Sequence, residues 1–278
     1  MRTLIKPNDD AKSVFETCIS KVRNPALQTR LQGVSNLVEA AAAEYDLQGE
    51  NKNWFIIPEH SSVGLVSADE MKKVYTSRMV GSKSPGYAIY IKLRTSTELC
   101  PYCAQRPVSQ LDHYLPKDKF PSLAVTPYNL VPSCSDCNKT KLADVANNEE
   151  SQTLHPYYDD VTDEQWLYAR VIEEELPTIE FFIQPPNEWT QPLKGRVAFH
   201  FQSFELADLY TSQVGVELSN IQNQIRQLHK RAGTKAVQEH LKEAADSRFE
   251  NHKNSWQTAM YQALAASEWY CSGGFGEV

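Results

Sequence analysis

The chain has 278 residues, 41% of them hydrophobic, with a formal net charge of -7. This apolar share is enough for a buried core, and no apolar run approaches the roughly 20 residues that cross a bilayer, so a soluble cytoplasmic protein is expected. The acidic balance argues against nucleic acid as a partner unless the charge is unevenly spread.

The first ten residues are polar and contain Pro7, Asp9 and Asp10, which does not read as a signal peptide. Val14, Cys18 and Val22 recur every four residues and predict an amphipathic helix over 9–23, ended by Pro25. A second helix is predicted from Pro25 to Leu47, with Leu27, Leu31, Val34, Val38, Ala41 and Tyr45 on one face. Ser67 and Glu70 form a capping-box pattern ahead of a short helix reaching Tyr75. The stretch Tyr87 to Arg94 is strand-like in composition, yet its place before a cysteine knuckle also suits a helix.

Further on, 168–172 and 178–183 read as two short strands around Pro177, forming a hairpin. Pro185, Pro186 and Pro192 mark an irregular connection, and 204–229 then follow a helical period through Leu206, Leu209, Tyr210, Val214, Leu218, Ile221, Ile225 and Leu228. Gly233 breaks it, and helices are predicted at about 234–246 and 248–270. The expected division is a mostly helical region over 1–85, a chemistry-bearing core over 86–160, an acidic connector with a hairpin over 161–200, and a helical bundle over 201–278.

Charge is indeed uneven. Residues 100–141 hold five Lys/Arg against three Asp/Glu, whereas 142–190 hold twelve acids and one base, Arg170. The acidic run reads either as a solvated face or as a surface that docks a basic partner or repels misplaced nucleic acid.

Four of the six cysteines form two C-x-x-C pairs, Cys100/Cys103 and Cys134/Cys137. Two such knuckles can close one tetrahedral zinc site around the segment between them. The alternatives are unrelated buried pairs or a redox motif, and the latter lacks a thioredoxin-like surrounding pattern. With all four positions used, the zinc is structural rather than hydrolytic.

The inserted segment carries Asp112 and His113 side by side. Asp supplies a hard oxygen for Mg2+ or Mn2+, and His is the natural base for activating water at neutral pH. On an extended strand the two side chains point to opposite faces, although twisting at a strand end can aim both at one pocket. Asn138 comes directly after a knuckle cysteine and offers an amide oxygen to a hard cation. Lys117, Lys119, Lys139 and Lys141 are candidates for meeting phosphate as point charges. A bare Asp-His pair is more often structural than catalytic; its place between the knuckles shifts that balance.

At these residues, C-x-x-C, D-H-x-x-P-K, F-P and N-L-V-P-S-C-x-x-C-N-x-x-K, the chain resembles zinc-stapled HNH endonucleases of the ββα-metal fold. The resemblance implies an α+β chain in which a hairpin and a helix close over one divalent metal. It implies that His113 is the general base and Asp112 the first metal ligand. Asn129 is then the residue that pins the loop and orients the histidine, and Asn138 the third motif position. Asparagine there, where many members have histidine, implies fewer and weaker protein ligands for the catalytic Mg2+ or Mn2+.

A looser resemblance is carried by Leu154-His155-Pro156-Tyr157-Tyr158-Asp159, the hairpin at Trp166-Leu167 and the helix over 204–228. In these parts the chain resembles the Septu-type and retron-associated HNH effectors of anti-phage systems. The likeness implies a DNA-cutting defence effector with an ABC/SMC-like ATPase partner and, as in the retron-associated effectors, a retron beside it. His155 is then an extra phosphate-contacting candidate, or a structural histidine before a proline turn. RNA as substrate, for example tRNA, and a non-catalytic zinc-ribbon binding module are the competing expectations.

Overall fold

The computed structural model describes residues 1–141, 146–174 and 177–275. The chain forms two compact units, Met1–Asp160 and Val161–Val278.

In the first unit, α1 (Ala11–Ile19) is capped by Asp10, whose carboxylate accepts from Ser13 N at 2.8 Å, and it buries Val14, Phe15, Cys18 and Ile19. The single helix expected over 25–47 is two, α2 (Pro25–Gln32) and α3 (Ser35–Glu50). Val34 leaves helical geometry between them, with φ -108° and ψ 3°, and is itself buried. The break lets Leu31 before it and Val38 after it face the same core cluster.

A two-rung hairpin, β1 (Ser62–Val63) with β2 (Val66–Ser67), turns at Gly64 with φ 52°, a left-handed position that glycine adopts without penalty. It leads into α4 (Ala68–Arg78), where both capping-box bonds form between Ser67 and Glu70. The ambiguous stretch is a helix, α5 (Tyr87–Arg94), which buries Tyr90 and Leu93 three residues apart. Helix α5 packs on the next strand pair, β3 (Gln110–His113) and β4 (Leu130–Ser133). Leu111 of β3 and Leu130 of β4 join the core cluster of the N-terminal helices. Each such buried leucine is worth about 1.5–3 kcal/mol relative to exposure, so the helices fasten the hairpin from behind. The short helix α6 (Ser135–Thr140) begins one residue after β4 and packs on β3.

In the second unit, β5 (Leu167–Ile172) pairs antiparallel with β6 (Thr178–Ile183), as expected. On β6, Ile179 and Phe181 are buried and alternate with exposed Thr178 and Glu180. Phe181 meets Tyr210 edge-on at 5.6 Å. The expected irregular connection instead contains a helix, α7 (Gln191–Ser203). Thr190 caps it, and Pro192 sits in its first turn, where a missing N–H costs nothing.

Helix α8 (Leu206–Asn251) is interrupted at Gly233, where φ is 76°, as the sequence indicated. Its second part runs past the expected end at 246 and stops before 252–255. Asn254 there is buried, its side-chain oxygen accepting from Trp166 N at 2.7 Å and Leu167 N at 3.1 Å. This couples the start of α9 (Trp256–Ala266) to the head of β5. No helix among the described residues is long and apolar enough to cross a membrane.

Candidate active site and zinc staple

The four knuckle cysteines come together, all buried, with their sulfurs within 4.8 Å of one another. A tetrahedral zinc with bonds near 2.3 Å places its sulfurs about 3.8 Å apart, so the cluster suits that ion. Hydrogen bonding from Cys100 lowers the pKa of the Cys134 thiol, toward the thiolate that a metal takes. Cys134 is also the N-cap of α6, its sulfur accepting from Cys137 N at 3.4 Å. Arg106, after the first knuckle, pairs with Asp136 in the second at 2.9 Å.

Asp112 and His113 lie at the end of β3, opposite Val131 and Leu130 of β4. The alternation of the strand is kept, because the two side chains have different partners. The Asp112 carboxylate, 6% exposed, accepts through Oδ2 from Tyr102 Oη at 2.9 Å and from Lys141 Nζ at 2.8 Å. Burial and the neighbouring carboxylate raise the Tyr102 phenol well above its ordinary value, so it stays a donor. Tyr102 lies inside the first knuckle, and the first C-x-x-C therefore reaches Asp112 directly. Spacing gave no hint of this role; an aromatic hydroxyl between two zinc cysteines was the only available signal.

His113 is also buried, its ring edge-on to Tyr75 of α4 at 4.4 Å between centroids. Its Nε2 lies 2.9 Å from the carbonyl of Ala124. A carbonyl can only accept, so Nε2 carries the proton and Nδ1 is left with its lone pair. Burial first, then the charge of Lys117, pushes the pKa down to about 3 and keeps the imidazole neutral. A neutral ring held in one tautomer is the form that can take a proton from water.

The loop carrying Ala124 is fixed by Asn129, which is fully buried. Its Oδ1 accepts from Leu115 N at 2.8 Å, and its Nδ2 donates to Leu115 O at 3.1 Å and Leu123 O at 3.2 Å. Asn129 thereby clamps both ends of the segment whose carbonyl orients His113.

Asn138 is half-buried on α6, and nothing among the described residues bonds its side chain. It precedes Lys141 by three residues, so both lie on one face of the helix. Carboxylate and amide oxygens suit a hard cation that keeps several of its waters.

Two of the phosphate candidates have other partners in the structure. Lys141, a phosphate candidate, keeps its ammonium inside the protein: besides Asp112 it donates to His113 O at 2.9 Å and Tyr114 O at 2.8 Å. Three acceptors match three N–H bonds and leave none for phosphate. His155, the other candidate, is fully buried among aromatic rings, stacked on Trp54 at 5.1 Å. Its Nδ1 accepts from Tyr157 N at 3.1 Å, so Nε2 donates to Tyr45 Oη at 2.9 Å. The segment clasps the hairpin: Tyr114 Oη donates to Thr153 O at 2.6 Å and Tyr157 Oη to Leu130 O at 3.0 Å. Lys139 is exposed, and Lys117 lies over the Tyr75 ring at 5.6 Å. Lys119 pairs with Glu59 at 3.1 Å.

A strand pair, a short helix capped by a zinc cysteine, and an Asp-His pair at the strand end are the parts of an HNH nuclease core. The profile of the HNH endonuclease family matches residues 100–144, so the chain carries an HNH endonuclease domain. More widely, it is 31% identical over 226 residues to Protein ea31 of Escherichia phage lambda, covering 76% of each chain. The chain belongs to the family of that protein. A shorter likeness, 42% identity over 60 residues, links it to the Septu protein PtuB of Bacillus thuringiensis, covering 19% of this chain and 23% of the other. No solved structure matches the chain.

Proposed function

We propose that this chain is a metal-dependent endonuclease that hydrolyses phosphodiester bonds of DNA, with His113 as the general base. The observation that carries the reading is the Nε2 bond of His113 to Ala124 O, which leaves Nδ1 as an acceptor one residue from Asp112. In this reading His113 takes a proton from the attacking water while Asn129 holds the loop that orients it. Asp112 and Asn138 would hold Mg2+ or Mn2+, which would supply Lewis-acid stabilisation of charge on the leaving oxygen. Tyr102 and Lys141 hold the Asp112 carboxylate in place. Lys117 and Lys139 meet flanking phosphates.

The defence setting, with an ATPase partner, is supported only by the sixty-residue likeness to the Septu protein PtuB. The longer likeness is to a phage protein, which favours a second setting in which the nuclease serves a phage or prophage. The chemistry at the site is the same in both.

The test is cleavage of a mixture of plasmid DNA and total cellular RNA with Mn2+, comparing the wild type with His113→Ala and with an EDTA control. The expected result is loss of the DNA pool, abolished in both controls, with 5′-phosphate and 3′-hydroxyl ends. Loss of the RNA pool instead would move the substrate to RNA, and 2′,3′-cyclic phosphate ends would sink the water mechanism. Cleavage that persists in His113→Ala would place the active site elsewhere.

A further inference from the structure

The chain is acidic overall, yet one cleft in the first unit is lined by four cationic side chains and no acid. It has a volume of about 760 Å³ and lies between the end of α1 and the α4–α5 connection, with Lys21, Arg23, Arg78 and Lys83 on its walls. Ser77 and Ser84 line it as well. Lys21, Arg23 and Lys83 are exposed, and none of the three forms an ion pair among the described residues. Elsewhere in this unit surface cations are commonly neutralised, as Lys6, Lys12, Arg30 and Lys72 each lie within 3.1 Å of a carboxylate. Unneutralised cations gathered in a concave site raise the local potential and concentrate anions there.

The walls are held in place. Arg78 donates to Lys21 O at 3.4 Å across the cleft floor, and Gly86 N donates to Arg78 O at 3.0 Å. A Cβ on Gly86 would sit 2.6 Å from Cys18 Sγ and 3.1 Å from Met79 Cα, so only glycine lets α5 begin this close to α1 and α4. The cleft is also tied to the candidate active site through one helix. Tyr75 of α4 contacts the His113 ring, and Arg78 stands three residues further on, about 4.5 Å along the axis. Lys117 lies over the same Tyr75 ring.

We infer that this cleft is a backbone-binding track for the nucleic-acid substrate, gripping phosphates beside α4, the helix whose Tyr75 contacts His113. The inference rests on the nuclease reading for its ligand and extends it to a second, non-catalytic contact surface. Lysine and arginine point charges with serine hydroxyls contact phosphate oxygens without reading bases, so the track contributes affinity and register rather than sequence preference. It also supplies a positive surface that the net charge of -7 hides.

The experiment measures anisotropy of fluorescent probes, a DNA duplex of about 30 base pairs and an RNA of the same sequence, between about 50 and 200 mM salt. EDTA is present to stop cleavage. The full-length wild type is compared with K21E/R23E/K83E and with a charge-matched control, K230E/R231E/K235E, which reverses charges on α8. Circular dichroism checks that both variants fold. The expected result is at least a tenfold loss of affinity in the cleft variant. Its log-log salt slope should shrink by about 3, one counterion per lost phosphate contact.

The control variant should stay near wild type. Equal binding by the cleft variant, an equal loss in the control, or no binding by the wild type would each overturn the track. Cleavage by the wild type with Mn2+ is scored in parallel. Cutting with an unchanged cleft variant leaves the nuclease reading standing and removes the track. Weakened binding without any cutting keeps the track and removes the nuclease reading.

Discussion

Asp112 is a buried carboxylate whose charge is matched by one ammonium and one phenol, Lys141 and Tyr102. The Asp112 and Lys141 side chains are 8% and 9% exposed, so neither group can turn to water for compensation. Replacing Lys141 with Met should therefore cost about 3–5 kcal/mol, because it strands a buried charge. Tyr102→Phe removes one hydrogen bond to that charge and should cost about 1.5–3 kcal/mol. Urea denaturation of both variants checks the values, and adding Asp112→Asn to Lys141→Met should recover part of the loss. A Lys141→Met protein as stable as wild type would remove Lys141 from this role. Residue types and their spacing singled out Asp112, His113 and Asn138, and the resemblance to HNH endonucleases added Asn129. The sequence could not show partners: Lys141 looked like a phosphate contact because a lysine after a helix normally faces solvent. His155 was open between two roles, and only its burial decides for the structural one.

Helix α4 shows how far an element can be read locally. Its start was legible because a capping box is a contract between Ser67 and Glu70, three residues apart, and both bonds form. A longer-range bond, invisible to that pattern, comes from Arg30, which donates to both Glu70 carboxylate oxygens at 2.6 and 2.8 Å. The Arg30 guanidinium and the Ser67 backbone push the Glu70 pKa down from 4.5 to about 2. The folded carboxylate holds its proton less tightly than the unfolded one, so its stabilisation is complete above pH 4.5. It is lost as the pH falls toward 2. Glu70→Gln should accordingly lower the melting temperature at pH 7, and the gap to wild type should close by pH 2. A gap that stays constant across that range would show that the carboxylate charge contributes nothing.

The α2–α3 break at Val34 goes with Leu31, Val34 and Val38 all meeting one core cluster, which local propensity does not show. Helix α7 was hidden because Pro192 punctuates a connection and opens a helix with the same residue.

Over the whole molecule, two cysteine knuckles meet beside a hairpin, a helix and a carboxylate. Chelating a zinc held by the four cysteines, or changing Cys134 to Ser, should lower the melting temperature and strip hydrogen-exchange protection from β3, β4 and α6. Strands β5 and β6, in the second unit, should keep theirs. Equal loss in both hairpins would mean that the staple supports more than the candidate site. The mixed α/β character and the zinc cluster were legible from the cysteine spacing and the helical periods. The grouping of 1–85 with 86–160 in one unit, and of 161–200 with 201–278 in another, was harder to read, because it depends on which distant faces touch.

The separation of the two knuckles has a temporal side. The chain leaves the ribosome from its N-terminus, so Cys100, Tyr102, Asp112 and His113 emerge before Cys134, Asn138 and Lys141. A nascent chain halted between His113 and Leu130 owns half of the cysteine cluster, a carboxylate with no ammonium beside it, and a strand with no partner in β4. The candidate site is thus assembled late, complete only once residue 141 has been added.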